Sequence, residues 1–595
     1  MVRGMSTLRF ALASLVVACS TPPPRTPASA PAPAPAPAPG PAGARIPSAD
    51  QTFAKLSHEF LDGYLELSPV DATEAGEHRY DAAWPDVTPK GDARLHAFFD
   101  DQQRRLVQIP RASLGEQDAI DAQIISDQIA LGTYSLDALK PRDVDPVYYT
   151  NLIGEGLDPL VNRNFGTAES RLASLRGRLD GIPAVIAAAK QRLAHPSKIS
   201  TETAIKQNKG LIGLVEGELQ TRFPKQPELD ASAKRAGAAL HEFQTFLEKD
   251  LLARSDGSFR LGREKFTKKL SLVLEDNLDI DAIAKGAREL LEQTQREMVE
   301  TAKQIWTEDK RGPLPKLDTP AQQKAFVKRV LDEVAKDRPT NATILGDAKA
   351  LLAKATAFVR DHDLVGVPDE PVAVIEMPEY RRGVAVAYCD SSGPLEATPE
   401  TFFAISPTPS DWSKERAESF YREYNHSMLA DLVVHEAMPG HYLQLMHNNK
   451  FSSKLRAVFS SGPFVEGWAV YSEWLMAEKG FGGPRVKLER QKMTLRLAAN
   501  AILDHDIHAG DMDEKAALAL MEGEAFQEEG EAVGKWTRAR LTSAQLTTYF
   551  YGFTELLKLR KAAEVKPGFS ERAYHGRLLS WGSPAMRFVR ELEAK

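Results

Sequence analysis

From Gln51 onward, apolar residues recur at helical spacing. Ile280, Ile283, Ala284, Ala287, Leu290, Leu291 and Met298 fall on one face, with Lys, Arg and Glu opposite. Similar amphipathic runs lie near 51–66, 168–195, 200–221, 231–253, 320–336 and 342–360. One stretch breaks the period. Within 371–406, the segments Pro371-Val-Ala-Val-Ile-Glu-Met, Gly383-Val-Ala-Val-Ala-Tyr and Thr401-Phe-Phe-Ala-Ile-Ser are short and rich in β-branched or aromatic residues. Bounded by Pro and Gly, they predict three short strands. Helical signals resume from 411. With no fixed-period repeat and no internal low-complexity linker, residues 50–595 are expected to form one body. The fold class is therefore mainly α, with a small sheet just upstream of the most informative segment.

The N-terminus follows another pattern. Arg3 and Arg9 precede a short apolar run, Phe10 to Val17, far below the ~20 residues needed to span a bilayer. It reads as a signal peptide. Ala18-Cys19 resembles a bacterial lipobox, in which the cysteine is lipidated and becomes the mature N-terminus; the alternative is an ordinary signal peptide with a chance cysteine. Eleven prolines then fall between Pro22 and Pro47. Such a segment is an extended spacer of roughly 80 Å at ~3.1 Å per residue. The expected division is a leader with lipobox at 1–19, a tether at 20–49 and a catalytic body at 50–595. Ser20, with no Asp after the cysteine, favours the periplasmic side of the outer membrane by resemblance to Gram-negative lipoproteins.

Composition excludes more than it assigns. The 75 basic and 82 acidic residues leave a net charge of −7, so no basic surplus points to nucleic acid. Only Cys19 and Cys389 are present, which rules out a disulfide scaffold.

Candidate chemistry is concentrated in Asp431-Leu-Val-Val-His435-Glu436-Ala-Met-Pro439-Gly440-His441-Tyr-Leu-Gln444. Imidazoles bind zinc, and a carboxylate beside the first ligand can take a proton from the water the metal activates. In the usual His-Glu-x-x-His spacing both rings share a helix face. Here the second His comes six residues later, which on a regular helix turns it about 120° away at ~100° per residue. Pro439 and Gly440 predict a widened or broken turn that could return His441 to the metal. Otherwise the two rings are unrelated histidines on a kinked helix. Further on, Ser461-Gly-Pro463-Phe-Val-Glu466-Gly-Trp468-Ala-Val-Tyr471-Ser-Glu473 starts a helix with Pro463 in its first turn. Glu466 would complete a His₂Glu site with one position left for water; as an alternative it is a carboxylate at a helix N-terminus. Glu473, seven residues on, could accept a hydrogen bond from a ligand imidazole.

His-Glu-x-x-Pro-Gly-His-x-x-Gln, Glu-Gly-Trp-Ala-x-Tyr-x-Glu and the late Gln545-Leu-Thr-Thr-Tyr549-Phe-Tyr-Gly552 together resemble the bacterial family catalogued as domain of unknown function 885. Ser68-Pro-Val-Asp-Ala-Thr-Glu-Ala-Gly, followed by Tyr80-Asp81, is similar to that family's opening. The family looks like a distant helical branch of the gluzincin metallopeptidases, which implies a large neurolysin-like α-helical body around a long cleft. The resemblance implies His435, His441 and Glu466 as zinc ligands and Glu436 as general base. It also implies a late Tyr or His that stabilises the oxyanion, with Tyr549 first and His508 second, and Arg538 as a partner for a substrate carboxylate. Leu541-Thr-Ser-Ala-Gln545 departs from the family's usual Pro-Gly-Gln turn.

The expected activity is therefore zinc-dependent hydrolysis of a peptide or peptide-like substrate by a membrane-tethered enzyme. Two alternatives remain at this level: a non-catalytic lipoprotein that binds peptide or envelope material, and a metal-dependent hydrolase of non-peptide amides or esters.

Overall fold

Capping chemistry sets where many of the helices begin. In the computed structural model, which describes residues 48–377, 386–397, 400–410 and 412–595, helix α1 (Ala49–Leu67) opens on a capping box. The Ser48 hydroxyl accepts the Gln51 N–H, and the Gln51 side chain accepts the Ser48 N–H. Pro69 opens the short α2 (Pro69–Ala75), and proline likewise occupies the first turn of α3 (Pro146–Asn162). Thr167 and Ser170 box the start of α4 (Ala168–Arg192), and α5 (Pro227–Phe246) again begins with proline. The leader, Cys19 and the tether as far as residue 47 lie outside the described residues. No described helix is long and apolar enough to cross a membrane.

Apolar faces then decide the packing. Helices α3, α4 and α5 bury Tyr149, Leu157, Leu179, Ile182, Leu240 and Phe243 in one cluster. Helix α1 buries Phe53 and Phe60 against Ile124 and Ile125, and also against Phe459 and Phe588 from the far end of the chain. At roughly 1.5–3 kcal/mol for each large side chain buried, these contacts fasten the N-terminal helices to the C-terminal ones. The largest cluster holds Met298 and Ile305 of α6 (Ile280–Glu308), together with Phe464, Trp468, Leu495, Ile502 and Phe553. The mainly α-helical class expected from periodicity is what the structure shows.

Three short strands make one sheet in the order β1-β3-β2: β1 (Ala373–Glu376), β2 (Ala387–Ser391) and β3 (Thr401–Ile405). Strand β1 runs parallel to β3, and β2 antiparallel to it, with Cys389 opposite Phe403. The second strand lies further along than the alternation at 383–388 predicted, and 378–385 fall outside the described residues. Along this strand Ser391 pairs with Thr401, and Asp390 with Arg163 of the loop after α3. Phe403 and Ile405 pack on Ile344 and Ala348 of α7 (Ile344–Asp361), and on Leu429 and Val433 of α8 (His426–Glu436). The sheet therefore lies along the helix that carries His435 and Glu436.

Candidate metal centre

Helix α8 begins where the Asn425 side chain accepts the N–H groups of Ser427 and Met428. One face of α8 packs on the sheet and another, through Ala430 and Val434, on the main core. It ends at Glu436, and a new helix, α9 (His441–Asn449), begins at His441. The chain breaks rather than bulges. Gly440 donates its N–H to the Val434 carbonyl six residues back, at 2.9 Å. A Cβ on Gly440 would stand 1.9 Å from the His435 carbonyl oxygen, so only glycine allows this approach. Trp468 Nε1 donates to the Pro439 carbonyl at 2.8 Å, and Gln444 holds α9 through Ser583 Oγ at 2.6 Å. This folding back brings the two imidazoles to 4.7 Å between centroids, with their planes nearly perpendicular.

Glu466 comes from the first turns of α10 (Gly462–Glu478), a helix buried on nearly every side. Its Oε2 lies 3.6 Å from His441 Nε2 and 3.9 Å from His435 Nε2. All three donor atoms fall within 4.8 Å of one another, the one such group among the described residues. Ligands at ~2.0–2.1 Å from a tetrahedral zinc would stand about 3.3 Å apart, so the set is slightly open but matched in kind and arrangement.

Its electrostatics ask for a cation. Burial opposes a charge on His435, but the hydrogen bond and charge of Glu473, then Glu436 and Glu466, push its pKa up to about 10. His435 Nδ1 sits 2.5 Å from Glu473 Oε1. Burial raises the Glu466 carboxyl, yet His441, His435 and the Tyr549 hydroxyl outweigh it and hold it below the usual range. Glu466 Oε2 is nevertheless buried with no hydrogen-bond partner, an arrangement native proteins rarely leave without an ion or water. The donor set and this orphaned oxygen fit a zinc ion.

Glu436 is not one of those three donors. Its Oε2 accepts the Cys389 N–H of β2 at 2.9 Å, and no described residue bonds Oε1. The sheet thereby fixes one carboxylate oxygen and leaves the other available. The Cys389 thiol is pushed up by its burial and by the Glu436 charge, so it stays a neutral wall residue.

Tyr549 lies on α13 (Leu546–Glu564), which crosses α10 and brings its hydroxyl to Glu466. The same hydroxyl meets Gln545 Nε2 at 3.4 Å and the Arg538 guanidinium, which also donates to Gln545 Oε1 at 2.7 Å. Arg538 belongs to α12 (Glu529–Leu541). His508, at the end of α11 (Gly483–His508), has a different role in the structure. Its Nε2 donates to the carbonyls of Ala539 and Thr542 at 3.1 and 2.8 Å. One helical turn away, Asp504 accepts the N–H groups of Ala544 and Thr547. These two residues hold the turn that starts α13. In it Ala544 adopts φ +67°, a conformation that glycine takes without strain. Sequence patterns singled out neither Asp504 nor the Cys389 N–H, because both act on partners 40 or more residues away.

A mainly helical protein carrying a buried His₂Glu group beside a three-stranded sheet is the class that fold and site define. The chain belongs to the family described as bacterial protein of unknown function, DUF885, which matches residues 69–592. It is similar to a candidate lipoprotein of unknown function from Shewanella oneidensis, with 30% identity, a TM-score of 0.78, and coverage of 91% of this chain and 100% of that one. A candidate lipoprotein from Colwellia psychrerythraea shares the fold at 16% identity and a TM-score of 0.75, covering 92% of this chain and 99% of that one. No curated protein matches the chain.

Proposed function

We propose that the protein is a zinc-dependent hydrolase of peptide bonds. The observation that carries this reading is the convergence of His435, His441 and Glu466 with a free carboxylate oxygen of Glu436 on the neighbouring residue. A zinc ion, when bound, supplies Lewis acidity that acidifies water and polarises a carbonyl. The chain's own residues supply the rest. Glu473 holds His435 in orientation from behind. Glu436, anchored through Oε2, takes a proton from the attacking water on Oε1 and returns it to the leaving amine. The edge of β2 and the break between α8 and α9 wall this space.

Glu436→Gln keeps size and hydrogen bonding but removes the basic oxygen. The variant is expected to fold, to retain zinc by metal analysis, and to lose roughly two to four orders of magnitude in peptide turnover. Near-wild-type turnover by the zinc-loaded variant would leave the mechanism without its base.

The same reading places the protein on a lipid anchor at Cys19, on the periplasmic side of the outer membrane. The apolar run before Ala18-Cys19, the proline-rich tether, and similarity to proteins described as candidate lipoproteins support it. Mass spectrometry of the mature chain is expected to find acyl chains on Cys19, and Cys19→Ser to abolish them. An unmodified wild-type N-terminus would refute the anchor.

A further inference from the structure

The turn between α12 and α13 holds a hydroxyl and an amine outside the metal centre. Lys269, on the helix Arg263–Leu274, is half-buried, and its Nζ stands 2.7 Å from Oγ of the buried Ser543. It has that one hydrogen bond and no ion pair among the described residues. Two carboxylates face the amine, but each is spent elsewhere. Asp504 of α11 accepts the N–H groups of Ala544 and Thr547 and the Thr547 hydroxyl. Asp145, at the start of α3, accepts the Val147 N–H and the Ser200 hydroxyl. His508 is the third titratable neighbour. Burial pushes Lys269 down to about 8 against the pull of both carboxylates. A buried lysine beside a hydroxyl rather than a counter-charge gives up its proton readily, as lysines that serve as bases do.

Ser543 is held from both sides. His508 Nε2 donates to the Thr542 carbonyl at 2.8 Å, and the Ala544 N–H donates to Asp504 at 2.9 Å. The N–H groups of Ser543 and Gln545, in the same turn, have no hydrogen-bond partner among the described residues and stand free for a polarised carbonyl oxygen. Ser543-Ala-Gln545 occupies the turn where the resembled family usually has Pro-Gly-Gln, so the hydroxyl belongs to this chain's departure from that pattern. We propose that Ser543 and Lys269 form a second catalytic centre, in which a serine nucleophile and a lysine base transfer the acyl groups of esters or amides. The neutral Lys269 amine takes the hydroxyl proton as Ser543 Oγ bonds to the acyl carbon. Collapse of the tetrahedral adduct breaks the bond to the leaving alcohol or amine, which takes that proton from Lys269. Water then gives a proton to Lys269 and attacks the Ser543 ester. The carboxylic acid leaves, and the proton returns to Ser543 Oγ. This centre stands apart from the peptide-hydrolase reading above, and either can fail alone.

The test incubates the full chain with a fluorophosphonate, at whose phosphorus an activated serine oxygen displaces fluoride. One adduct per chain is expected, mapped to Ser543 by mass spectrometry of its peptides. Its rate of formation should rise with pH and level off above about 8, as Lys269 loses its proton. Ser543→Ala should abolish the adduct, and Lys269→Met should slow it by roughly two to four orders of magnitude, the scale of a lost general base. A nitrophenyl ester of a short acid supplies the turnover measurement, and Ser543→Ala should lose that hydrolysis too. An unlabelled wild type, or an adduct at another residue alone, overturns the proposal. Wild-type labelling of Lys269→Met removes the base and overturns it equally. Ester hydrolysis unchanged in Ser543→Ala would reduce the pair to a turn-holding contact. The labelling of the wild type needs no substitution, so it decides the matter even where a variant fails to fold.

Discussion

Tyr549 carries one hydroxyl proton, and three neighbours compete for that hydroxyl. Gln545 and Arg538 can only donate to it, so the proton goes to Glu466. Burial and the Glu466 charge push the phenol up to about 12, so it keeps the proton at any working pH. An oxyanion would have to win it from a carboxylate. The role implied by family resemblance is therefore secondary in this geometry, and the hydroxyl first of all orients Glu466. Tyr549→Phe is expected to weaken zinc affinity by roughly tenfold to a hundredfold, as removing a residue that orients a ligand does. Turnover of the zinc-saturated variant should change far less. Competition with a chelator measures the first quantity and saturating-zinc kinetics the second. Full zinc affinity with a collapsed turnover would return Tyr549 to the oxyanion.

Helices α10 and α13 can bring Glu466 and Tyr549 together because they cross at two glycines. A Cβ on Gly552 would lie 1.8 Å from the Pro463 carbonyl oxygen and 2.8 Å from Gly467 Cα; one on Gly467 would meet the Gly552 backbone at 2.5 Å. Gly552→Ala must push the helices apart, at a cost of about 1–3 kcal/mol or more. Calorimetry should show a lower Tm and metal analysis a lower zinc content. Gly530→Ala, with nothing within 4 Å of its added Cβ, serves as the neutral control. An unchanged Tm and zinc content in Gly552→Ala would remove the crossing from the argument. This crossing also marks what a sequence can disclose. Amphipathic helices such as α1 and α6 are legible because one face is wet, whereas α10 is buried on nearly all sides and its period fades. Pro439-Gly440 announced a break between the histidines, since no regular helix tolerates both. His508 was hard to read because a histidine near a helix end looks the same in sequence whether it faces a substrate or two backbone carbonyls.

Across the whole molecule, the N-terminal segment 68–81 acts as a clasp. Arg178, fully buried, donates to the carbonyls of Asp81 and Pro69 and to Thr73 Oγ1, and Thr73 donates in turn to Asp81 Oδ1. Beyond β2, Leu395 donates its N–H to the Ala75 carbonyl at 2.8 Å. His78 completes the join. Its ring stacks on Phe165 at 3.9 Å, with Nδ1 3.0 Å from Asp81 and Nε2 2.8 Å from Glu396. The segment that resembles the family's opening thus ties the N-terminal helices to the loop that continues the edge strand, whose Cys389 N–H steadies Glu436. Burial opposes a charge on His78, but the two carboxylates outweigh it and push its pKa up to about 9. In the unfolded chain the same ring titrates near 6.5. Because the folded value is the higher one, the folded state holds its proton over a range where the unfolded state has lost it. The contribution to stability is complete below about 6.5 and disappears as pH rises through about 9. Urea midpoints of the wild type should therefore fall between about pH 6 and about pH 9.5 by more than those of His78→Gln, which has no proton to lose. The difference between the two proteins isolates this ring from every other titrating group, and parallel curves would show that the clasp does not depend on its charge.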